Sequence, residues 1–390
     1  MNTGKYVFSQ LSTFISITDF NKYVDLYQGN HQVKHFTCWN QLMCMVFGQL
    51  SNCDSLTDLV VGLTGQRSKW YHLGMGTGLS KSNLAHANEH RDWRIFAGFA
   101  SHLIAEATIL CRNNSDILRS VKGNVYAVDS TTIDLCLQVF WWAKFRKAKA
   151  AVKLHTQFDV KAAIPTFIEM TDGLTHDVNF LDNLIYEPRA FYLMDKGYVD
   201  FDRLFLIHQA EAFFVTRAKD NMNYRRIYSA QVNKKKGVKC DQTIMLNNFY
   251  SKKDYPEKLR RIKYYDAETD NEFDFITNNF HISALQVALL YKHRWSVELF
   301  FKWIKQNLRI KKFYGNSENA VKTQIWIAVC NYLQVAIIKK TLNIDVSLSQ
   351  IMQVLSVSLF DKCDIRDLFI QQKAKAVSTQ PSLFENLTGQ

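Results

Sequence analysis

The pattern of apolar and polar residues divides the chain into a helical first part and a later part in which strands alternate with helices. Up to about residue 115, apolar residues recur at helical spacing and predict helices over 40–49 and 55–63, with a further pair within 81–107. A Gly-rich interval, 73–80, precedes that pair. Ser80 or Ser82 is placed to cap the helix that follows it.

From about Gly123 the period changes to that of strands. Short apolar runs predict strands over 125–128, 151–160, 164–170, 191–194, 213–216 and 273–277 and a helix over 201–212. A long apolar helix over 317–340 is expected to pack on the resulting sheet. Strands interleaved with helices predict a mixed α/β fold.

These changes of pattern suggest three regions. We expect a helical N-terminal domain over 1–115 and a small helical C-terminal region over 346–390. Between them we expect an α/β domain over 120–345, with helices on both faces of its sheet and a basic, β-rich insertion at about 218–272. The end from Ser378 is polar and expected to be loose.

The stretch YKHRWSVELFFKWIK, residues 291–305, carries the most informative charge pattern. At about 100° per residue, Tyr291, Arg294, Glu298 and Lys305 share one face of a single helix. An amphipathic helix with a solvated charged face is the simple alternative. A carboxylate flanked by cations would also suit a phosphate backbone and a metal ion.

Net charge is +12, which favours an acidic partner such as nucleic acid or a membrane surface. Residues 219–263 hold 13 Lys or Arg against 4 Asp or Glu, and residues 291–312 hold 7 against 1. Because the basic residues are concentrated in these two segments, they predict a binding groove. The run Lys234, Lys235 and Lys236 could instead be a solvated loop, but inside so basic a segment phosphate contact is favoured.

A turn followed by a polar helix offers a second candidate for DNA contact. Lys81, Asn83 and Arg91 lie on this helix and would suit a helix-turn-helix reader of the major groove, although polar helix faces are common. His86 and His90 lie one turn apart, but with no third ligand in the pattern we expect a pair that is solvated or at the edge of the core.

Three acids follow or accompany the predicted strands: Asp129, Asp195 and, on the next helix, Glu298. They are separated by 66 and 103 residues, so only the fold can bring them together. Carboxylate oxygens are the ligands that Mg²⁺ or Mn²⁺ prefers, and two such ions would support in-line displacement at phosphorus. A strand-end Asp is more often only a turn or cap residue.

Cysteine usage and hydropathy point to a reduced, cytosolic protein. The eight cysteines occur singly, with no C-x2-C pair, which argues against a zinc ribbon or a secreted disulfide scaffold. No run approaches 18 apolar residues, and Asn331 and Gln334 interrupt the strongest candidate, 325–338. We therefore expect no membrane partner.

The spacing Tyr-x2-Arg-x3-Glu-x6-Lys, together with VDSTTIDL, KLHTQFDV, FYLMDKGYVDFDRL, FFVTRAK and FITNNF, resembles the YREK group of DDE transposases of insertion sequences. The resemblance covers about residues 120–340. It implies a ribonuclease-H-like catalytic core, preceded by an N-terminal domain that binds transposon ends. It also implies a prokaryotic, nucleoid-associated protein in the cytoplasm.

The resemblance further implies roles for individual residues. Asp129, Asp195 and Glu298 would hold two Mg²⁺ or Mn²⁺ ions, and Tyr291, Arg294 and Lys305 would hold phosphates of the transposon ends. Further DNA contacts are expected from Lys153, His155 and Arg217, which lie in the matching blocks, and, from the charge and helix patterns described above, from the basic or polar residues Lys219, Lys302, Lys234, Lys235, Lys236, Lys81, Asn83 and Arg91. The reaction would be cleavage of inverted-repeat ends and joining of the 3′-hydroxyls to target DNA.

Alternatives remain open from the sequence. A catalytically silent DNA-binding relative would keep the basic surface, and a hydrolytic nuclease would keep the fold and the acids. Because two ends must be cut together, we expect a homodimer on paired double-stranded ends. Relatives that excise through a hairpin stack a base on an aromatic residue, often Trp, of the insertion. No Trp lies between Asp195 and Trp295, although several Tyr and Phe residues could substitute.

Overall fold

The structure, a computed structural model, describes residues 4–111, 118, 121–135, 140, 142–146, 149–307 and 313–369. The chain forms two compact units: one joins the residues up to Leu110 with those from Trp303 onward, and the other is Cys111–Lys302. Cys136 and the predicted loose end from Ser378 lie outside the described residues.

The described residues form twelve α-helices. They are α1 (Val7–Ser12), α2 (Ile17–Leu26), α3 (Cys38–Leu50), α4 (Leu56–Thr64), α5 (Lys81–His90), α6 (Arg94–Cys111), α7 (Phe201–Gln209), α8 (Phe249–Asp254), α9 (Ala284–Lys292), α10 (Trp295–Asn307), α11 (Glu318–Thr341) and α12 (Leu348–Ser358).

They also form ten strands. These are β1 (Val125–Leu135), β2 (Lys144–Arg146), β3 (Lys149–Asp159), β4 (Ile164–Asp172), β5 (Phe191–Met194), β6 (Phe213–Arg217), β7 (Tyr224–Ser229), β8 (Val238–Leu246), β9 (Leu259–Asp266) and β10 (Asn271–Thr277).

The first unit is helical, and its core is built on α3 and α11. Every residue of α3 is buried, and α11 packs against α3, α5 and α12. Buried amides are satisfied inside this core: Gln49 donates to the carbonyl of Gln324 at 3.1 Å, and Asn331 donates to Gln49. Ser80 caps α5 by accepting from the backbone N–H of Asn83, as the sequence predicts.

The position of α11 differs from the expectation that this helix packs on the sheet. Because α11 packs among the N-terminal helices, it belongs to the helical unit, and the boundary predicted at residue 345 does not separate the two units. The sequence gives no warning of this. A helix buried on nearly all sides, as α11 is from Ala320 to Ile338, has no polar stripe to indicate what it packs against.

The second unit is built on one mixed sheet with the order β2-β3-β1-β5-β6-β10-β9-β8-β7, and β4 pairs with β3. β3 is antiparallel to β1 and β4, whereas β1, β5 and β6 are parallel to one another. Three antiparallel strands followed by two strands parallel to the first give the ribonuclease-H-like order. The predicted mixed α/β fold is confirmed.

Alternate residues of the central strands enter two separate cores, because successive side chains of a strand point to opposite faces. Val128, Met194 and Phe180 belong to the core that α7 covers. Val125, Leu193 and Tyr291 belong to the core that α9 covers. This alternation decides which face of the sheet each polar residue beyond these positions reaches.

The basic insertion is an antiparallel meander, β7–β8–β9–β10, which joins the central strands by pairing β10 with β6. The prediction of a β-rich insertion is confirmed. One prediction of strand length was wrong: β1 does not end at Val128 but continues through Asp129 to Leu135. The polar residues Ser130 to Thr132 remain in the ladder because β3 pairs with them.

Two helices, α6 and α11, are long and apolar enough to cross a membrane by length and composition alone. Such helices also occur in the cores of proteins that do not enter membranes. α11 is almost wholly buried inside the protein, and α6 buries one side through Ile95, Phe99 and Leu103.

Candidate active site

The register of β1 and β5 brings the first two acids together. The parallel pairing of these strands ends with Val128 opposite Met194, and the next residues along the chain are Asp129, within β1, and Asp195, directly after β5. Val128 and Met194 lie in the core under α7. Alternation therefore directs Asp129 and Asp195 to the other face, where α9 lies.

The motif that supplies Glu298 spans two helices instead of the predicted single helix. Tyr291 lies in the last turn of α9, Arg294 lies in the connection, and Glu298 lies in the first turn of α10. Arg294 N–H donates to the carbonyl of Tyr291 and Val297 N–H to that of Arg294, at 3.0 and 3.3 Å. These i to i+3 bonds tighten the connection to a 3₁₀ turn, which keeps the motif side chains close together. Lys305 lies in the last turn of α10.

Arg294 bridges two of the three acids. Its Nη1 donates to Oδ2 of Asp129 at 3.0 Å, and its Nη2 donates to Oε1 of Glu298 at 2.6 Å. The guanidinium side chain is only 11% exposed. Asp129 and Glu298 therefore share one largely buried cation.

The third acid, Asp195, has a separate set of donors. Arg217 donates to its Oδ1 through Nη2 at 2.6 Å and Nε at 3.1 Å, and the backbone N–H of Lys196 donates to the same oxygen at 2.7 Å. The hydroxyl of Tyr291 lies 3.4 Å from this oxygen. The face of the sheet under α9 thus holds three carboxylates and two arginines.

The two aspartates differ in acidity. Burial, the largest cause, acts together with the charges of Glu298 and Asp195 to raise the pKa of Asp129 to about 6, against the opposing effects of the Ser130 N–H and Arg294. Burial also acts to raise the pKa of Asp195. The hydrogen bonds from Arg217 and Lys196 outweigh that effect, so its pKa lies below the usual value.

The three carboxylates are chemically suited to bind a divalent cation. Three carboxylates offer hard oxygen ligands, and burial together with the neighbouring acids outweighs the effect of Arg294 on the pKa of Asp129, which favours further positive charge at this point. Among the residues that the structure describes, no group of three or more acids, histidines or cysteines has metal-ligand geometry. Nitrogen atoms of Arg294 and Arg217 bind the same oxygens that a metal ion would use.

A cavity of about 510 Å³ adjoins the acids. Arg217, Tyr291 and Arg294 form the part of its wall that contacts the triad, and aromatic side chains form much of the remainder. The other lining residues are Tyr264, Asp266, Glu268, Thr269, Asn271, Phe273, Phe275, Ala288, Lys292 and Trp295.

Comparison with known proteins identifies the family. Residues 121–334 match the family described as Transposase DDE domain, and residues 3–76 match a domain of unknown function, DUF4372. The chain is 31% identical over 286 residues to the Sinorhizobium fredii protein y4zB, which is named as a transposase, and the match covers 72% of this chain and 78% of y4zB. This chain belongs to the DDE transposase family.

One more distant relative agrees with this assignment, and one solved structure is too dissimilar to add to it. A Geobacillus stearothermophilus protein named as a transposase of insertion sequence element IS5377 is 29% identical over 231 residues, which are 58% of this chain and 60% of that protein. A structure of piggyBac transposase in a synaptic complex with hairpin DNA also aligns with this chain. The alignment covers 96% of this chain and 80% of the piggyBac transposase chain. Its TM-score of 0.44 and its 9% identity are too low to support an argument.

Two residues predicted to contact DNA lie inside the transposase. His155 is fully buried, where its ring stacks on Phe180 with 5.3 Å between centroids, so this structure leaves it no surface for a phosphate. Lys153 is 13% exposed and donates to the carbonyl of Thr175 at 2.7 Å, while its ammonium pairs with Asp177. Both side chains support the fold beside the acids, in contrast to the predicted DNA contacts.

Arg91 also makes hydrogen bonds within the protein. Its guanidinium donates to the carbonyls of Phe36 and Thr37 and to the side chain of Gln41, which ties the end of α5 to the start of α3. These bonds use both terminal nitrogens of the guanidinium, and the DNA contact by Arg91 stays a prediction. Lys81 and Asn83 are exposed at the start of α5, although Asn83 also donates to the carbonyl of Gly78 at 2.7 Å.

Five other lysines predicted to contact DNA are exposed at the surface. Lys234, Lys235 and Lys236 form an exposed 3₁₀ turn between β7 and β8, which Asn233 caps by accepting from the N–H of Lys235. Lys219 and Lys302 are exposed, and Lys219 donates to the carbonyl of Val199 at 2.7 Å. In the insertion, Phe249 and Tyr250 are 76% and 77% exposed, whereas Tyr264 is buried.

Sequence reasoning missed Ser130 and Asp177 as members of the site. Ser130 follows Asp129 directly, and its hydroxyl donates to Oδ1 of Asp177 at 2.7 Å. The only signal in the sequence is the acid in THD, which follows the turn Thr171-Asp172-Gly173. An isolated acid after a turn resembles a helix cap, so this signal has little weight.

Proposed function

We propose that this DDE transposase is a member of the YREK group that cleaves the inverted-repeat ends of its mobile element and joins their 3′-hydroxyls to target DNA. The convergence of Asp129, Asp195 and Glu298 with two arginines on one face of the sheet supports this proposal. Both steps displace an oxygen at phosphorus, first by water and then by the 3′-hydroxyl. Neither needs a covalent protein nucleophile.

In this proposal Asp129, Asp195 and Glu298 hold two Mg²⁺ or Mn²⁺ ions. Bound divalent ions supply activation of the attacking oxygen and stabilisation of the leaving oxygen. The protein contributes the placement of the acids. Burial of Asp129 limits the access of solvent to its carboxylate. The backbone N–H of Ser130 donates to one oxygen of Asp129, and the backbone N–H of Lys196 donates to one oxygen of Asp195.

The cations beside the triad are proposed to hold the phosphates of the transposon end. Arg294 and Arg217 are positioned by the carboxylates that they contact, so a phosphate entering the site would meet guanidinium groups that are already oriented. Tyr291 adds a hydroxyl donor, and Lys305 follows two turns after Glu298 on α10.

More distant contacts are proposed along the double-stranded end and the target. The exposed lysines of the insertion, Lys234 to Lys236, with Lys219 and Lys302, would contact phosphates without reading sequence. Lys81 and Asn83 at the start of α5 would serve the same end in the N-terminal region. We propose a homodimer on paired ends, in the cytoplasm and associated with the nucleoid.

A strand-cleavage assay tests this function. The substrate is a supercoiled plasmid carrying the imperfect inverted repeats that flank the coding region, with Mg²⁺ as the metal. We expect Asp129→Ala, Asp195→Ala and Glu298→Gln each to abolish cleavage while binding of the ends persists. Asp220→Asn, which removes an acid that is 96% exposed, serves as the matched control.

The products separate this function from its alternatives. Joined products with the wild type support a transposase, whereas nicked products without any joining would favour a hydrolytic nuclease. Full cleavage by any one of the three triad variants would refute the assignment of the acids. Binding without cleavage by the wild type would indicate a silent relative.

A further inference from the structure

A second polar cluster lies on the opposite face of the sheet from the triad. Its centre is Asp177, the first residue of the 3₁₀ helix Asp177–Asn183. Three side chains approach the same oxygen, Oδ1: the hydroxyl of Ser130 at 2.7 Å, the ammonium of Lys153 at 3.1 Å and Nδ1 of His155 at 4.0 Å.

The strand register explains why these side chains meet. Ser130 is opposite His155 in the pairing of β1 with β3, and Thr132 is opposite Lys153. Lys153 and His155 are two residues apart, so they share one face of β3, and this is the face toward which Ser130 points. Phe180 of the same 3₁₀ helix stacks on the ring of His155, which fixes the helix against that face.

The two basic side chains of this cluster, Lys153 and His155, are largely buried. His155 is fully buried, and Nδ1 of its ring has no hydrogen-bond partner among the described residues. Lys153 is 13% exposed and binds the carbonyl of Thr175 as well as Asp177. An ammonium so little exposed needs a fixed anion, and Asp177 supplies it.

Ser130 connects this cluster to the triad across the sheet. Its side chain binds Asp177 on one face, while its backbone N–H donates to Oδ1 of Asp129 at 2.8 Å on the other. A shift of Ser130 would therefore move the donor that orients the Asp129 carboxylate.

We propose that Asp177 is a positioning residue for the reaction: with Lys153 it anchors Ser130, and Ser130 in turn holds Asp129 in the orientation that the triad requires. This inference rests on the proposed function of the triad. Asp177 acts through Ser130 and does not touch the reacting atoms.

The first test measures end cleavage together with end binding. We expect Asp177→Ala and Ser130→Ala each to lower the rate constant for cleavage by about 10- to 100-fold, the usual effect of losing an outer partner of a ligand, with the dissociation constant for end DNA unchanged. Asp177→Asn retains an acceptor for the Ser130 hydroxyl and should recover part of the rate. Asp182→Ala is the matched control, because Asp182 lies on the same 3₁₀ helix but pairs with Arg203.

A double-mutant cycle separates this role from a general loss of structure. If Asp177 acts through Ser130, the double variant should be no slower than the slower single variant. Independent, multiplicative losses would overturn the proposal, as would cleavage by Asp177→Ala at the wild-type rate. Should Asp177→Ala fail to fold in a thermal melt, the milder Asp177→Asn takes its place in the cycle.

Titration with Mn²⁺ distinguishes failure of this inference from failure of the proposed function. We expect Mn²⁺ to bind Asp177→Ala about 10- to 100-fold more weakly than the wild type, and Asp182→Ala with unchanged affinity. If the wild type cleaves no DNA, the proposed function fails, and a weaker Mn²⁺ affinity in Asp177→Ala still supports the positioning of Asp129. The positioning role would be overturned if the wild type and Asp177→Ala bound Mn²⁺ equally tightly, or if the wild type did not bind Mn²⁺.

Discussion

Nη1 of Arg294 lies 3.0 Å from Oδ2 of Asp129, so the arginine of the Tyr-x2-Arg-x3-Glu-x6-Lys pattern contacts the acid that the proposed reaction requires for metal binding. The same guanidinium reaches Glu298 through Nη2. Arg294 therefore has two competing partners in the proposed reaction, the acids before DNA arrives and a phosphate afterwards.

This pairing predicts that Arg294 competes with metal ions. A hydrogen bond to a charged group contributes about 1.5–3 kcal/mol, which corresponds to about 10- to 100-fold in affinity. We expect Arg294→Ala to bind Mn²⁺ more tightly by about this factor in the absence of DNA and to bind end DNA more weakly. Isothermal titration calorimetry measures both constants.

Lys292→Ala provides the control for this experiment. Lys292 is also a cation near the end of α9, but it pairs with Asp266 and Glu268. Its loss should leave the Mn²⁺ affinity unchanged. Mn²⁺ affinity that is unaltered or weakened in Arg294→Ala would show that the guanidinium does not compete with the ion.

The acidity of Asp129 predicts a pH-dependent stability. Its pKa is raised to about 6 in the folded protein from about 3.9 when unfolded, so the folded state binds more protons between these values. The free energy of unfolding of the metal-free protein should therefore fall as pH rises from about 4 to 6. Because an asparagine side chain carries no charge, the variant Asp129→Asn should lack this component.

Urea unfolding in the presence of a chelator measures this component. We expect Asp129→Asn to gain on the order of 1 to 3 kcal/mol relative to the wild type between pH 4 and pH 7.5. Asp182→Asn controls for the loss of an acid elsewhere. Parallel curves for the wild type and Asp129→Asn would mean that Asp129 titrates normally.

The lysines of the insertion predict a change in the salt dependence of DNA binding. Each phosphate that a lysine neutralises contributes about −0.9 to the slope of log K against log salt concentration. Replacing Lys234, Lys235 and Lys236 by Ala should weaken end binding and make the slope shallower, by up to about 2.7 if all three contact phosphates. Fluorescence anisotropy at several salt concentrations gives the slope.

Lys22→Ala is the comparison for this measurement. Lys22 is exposed but pairs with Asp19 on α2, outside the basic segments. A slope for the triple variant equal to those of Lys22→Ala and the wild type would leave the three lysines as a solvated turn.

Arg91 is predicted to contribute to stability more than to DNA affinity. Arg91→Ala removes donors from the carbonyls of Phe36 and Thr37 and from Gln41 in a partly buried site, which should lower the free energy of unfolding by about 2–3 kcal/mol. Denaturant unfolding measures this loss.

The DNA affinity of the folded fraction provides the second measurement for Arg91. We expect this affinity to match the wild type. A large loss of affinity with little loss of stability would restore Arg91 as a DNA contact. Lys81→Ala, from the exposed start of the same helix, should give the opposite pattern.

Local sequence signals were sufficient for most of the elements around the site. The apolar runs predict β5 at Phe191–Met194, and a serine cap predicts where α5 begins. These succeed because alternation and capping depend on neighbours in sequence. Predictions failed where the partner is distant: the strand predicted to end at Val128 continues through Ser130 to Thr132 because β3 pairs with them.

The chain by itself determined which acids and cations are present and in what order, because residue type and spacing are properties of the sequence. Only the tertiary structure decided that Asp129 and Asp195 become neighbours, that Arg294 bridges Asp129 to Glu298, and that His155 is buried. The physical reason is strand register. Parallel pairing of β1 with β5 brings together residues 66 positions apart, and alternation assigns each side chain to one face of the sheet.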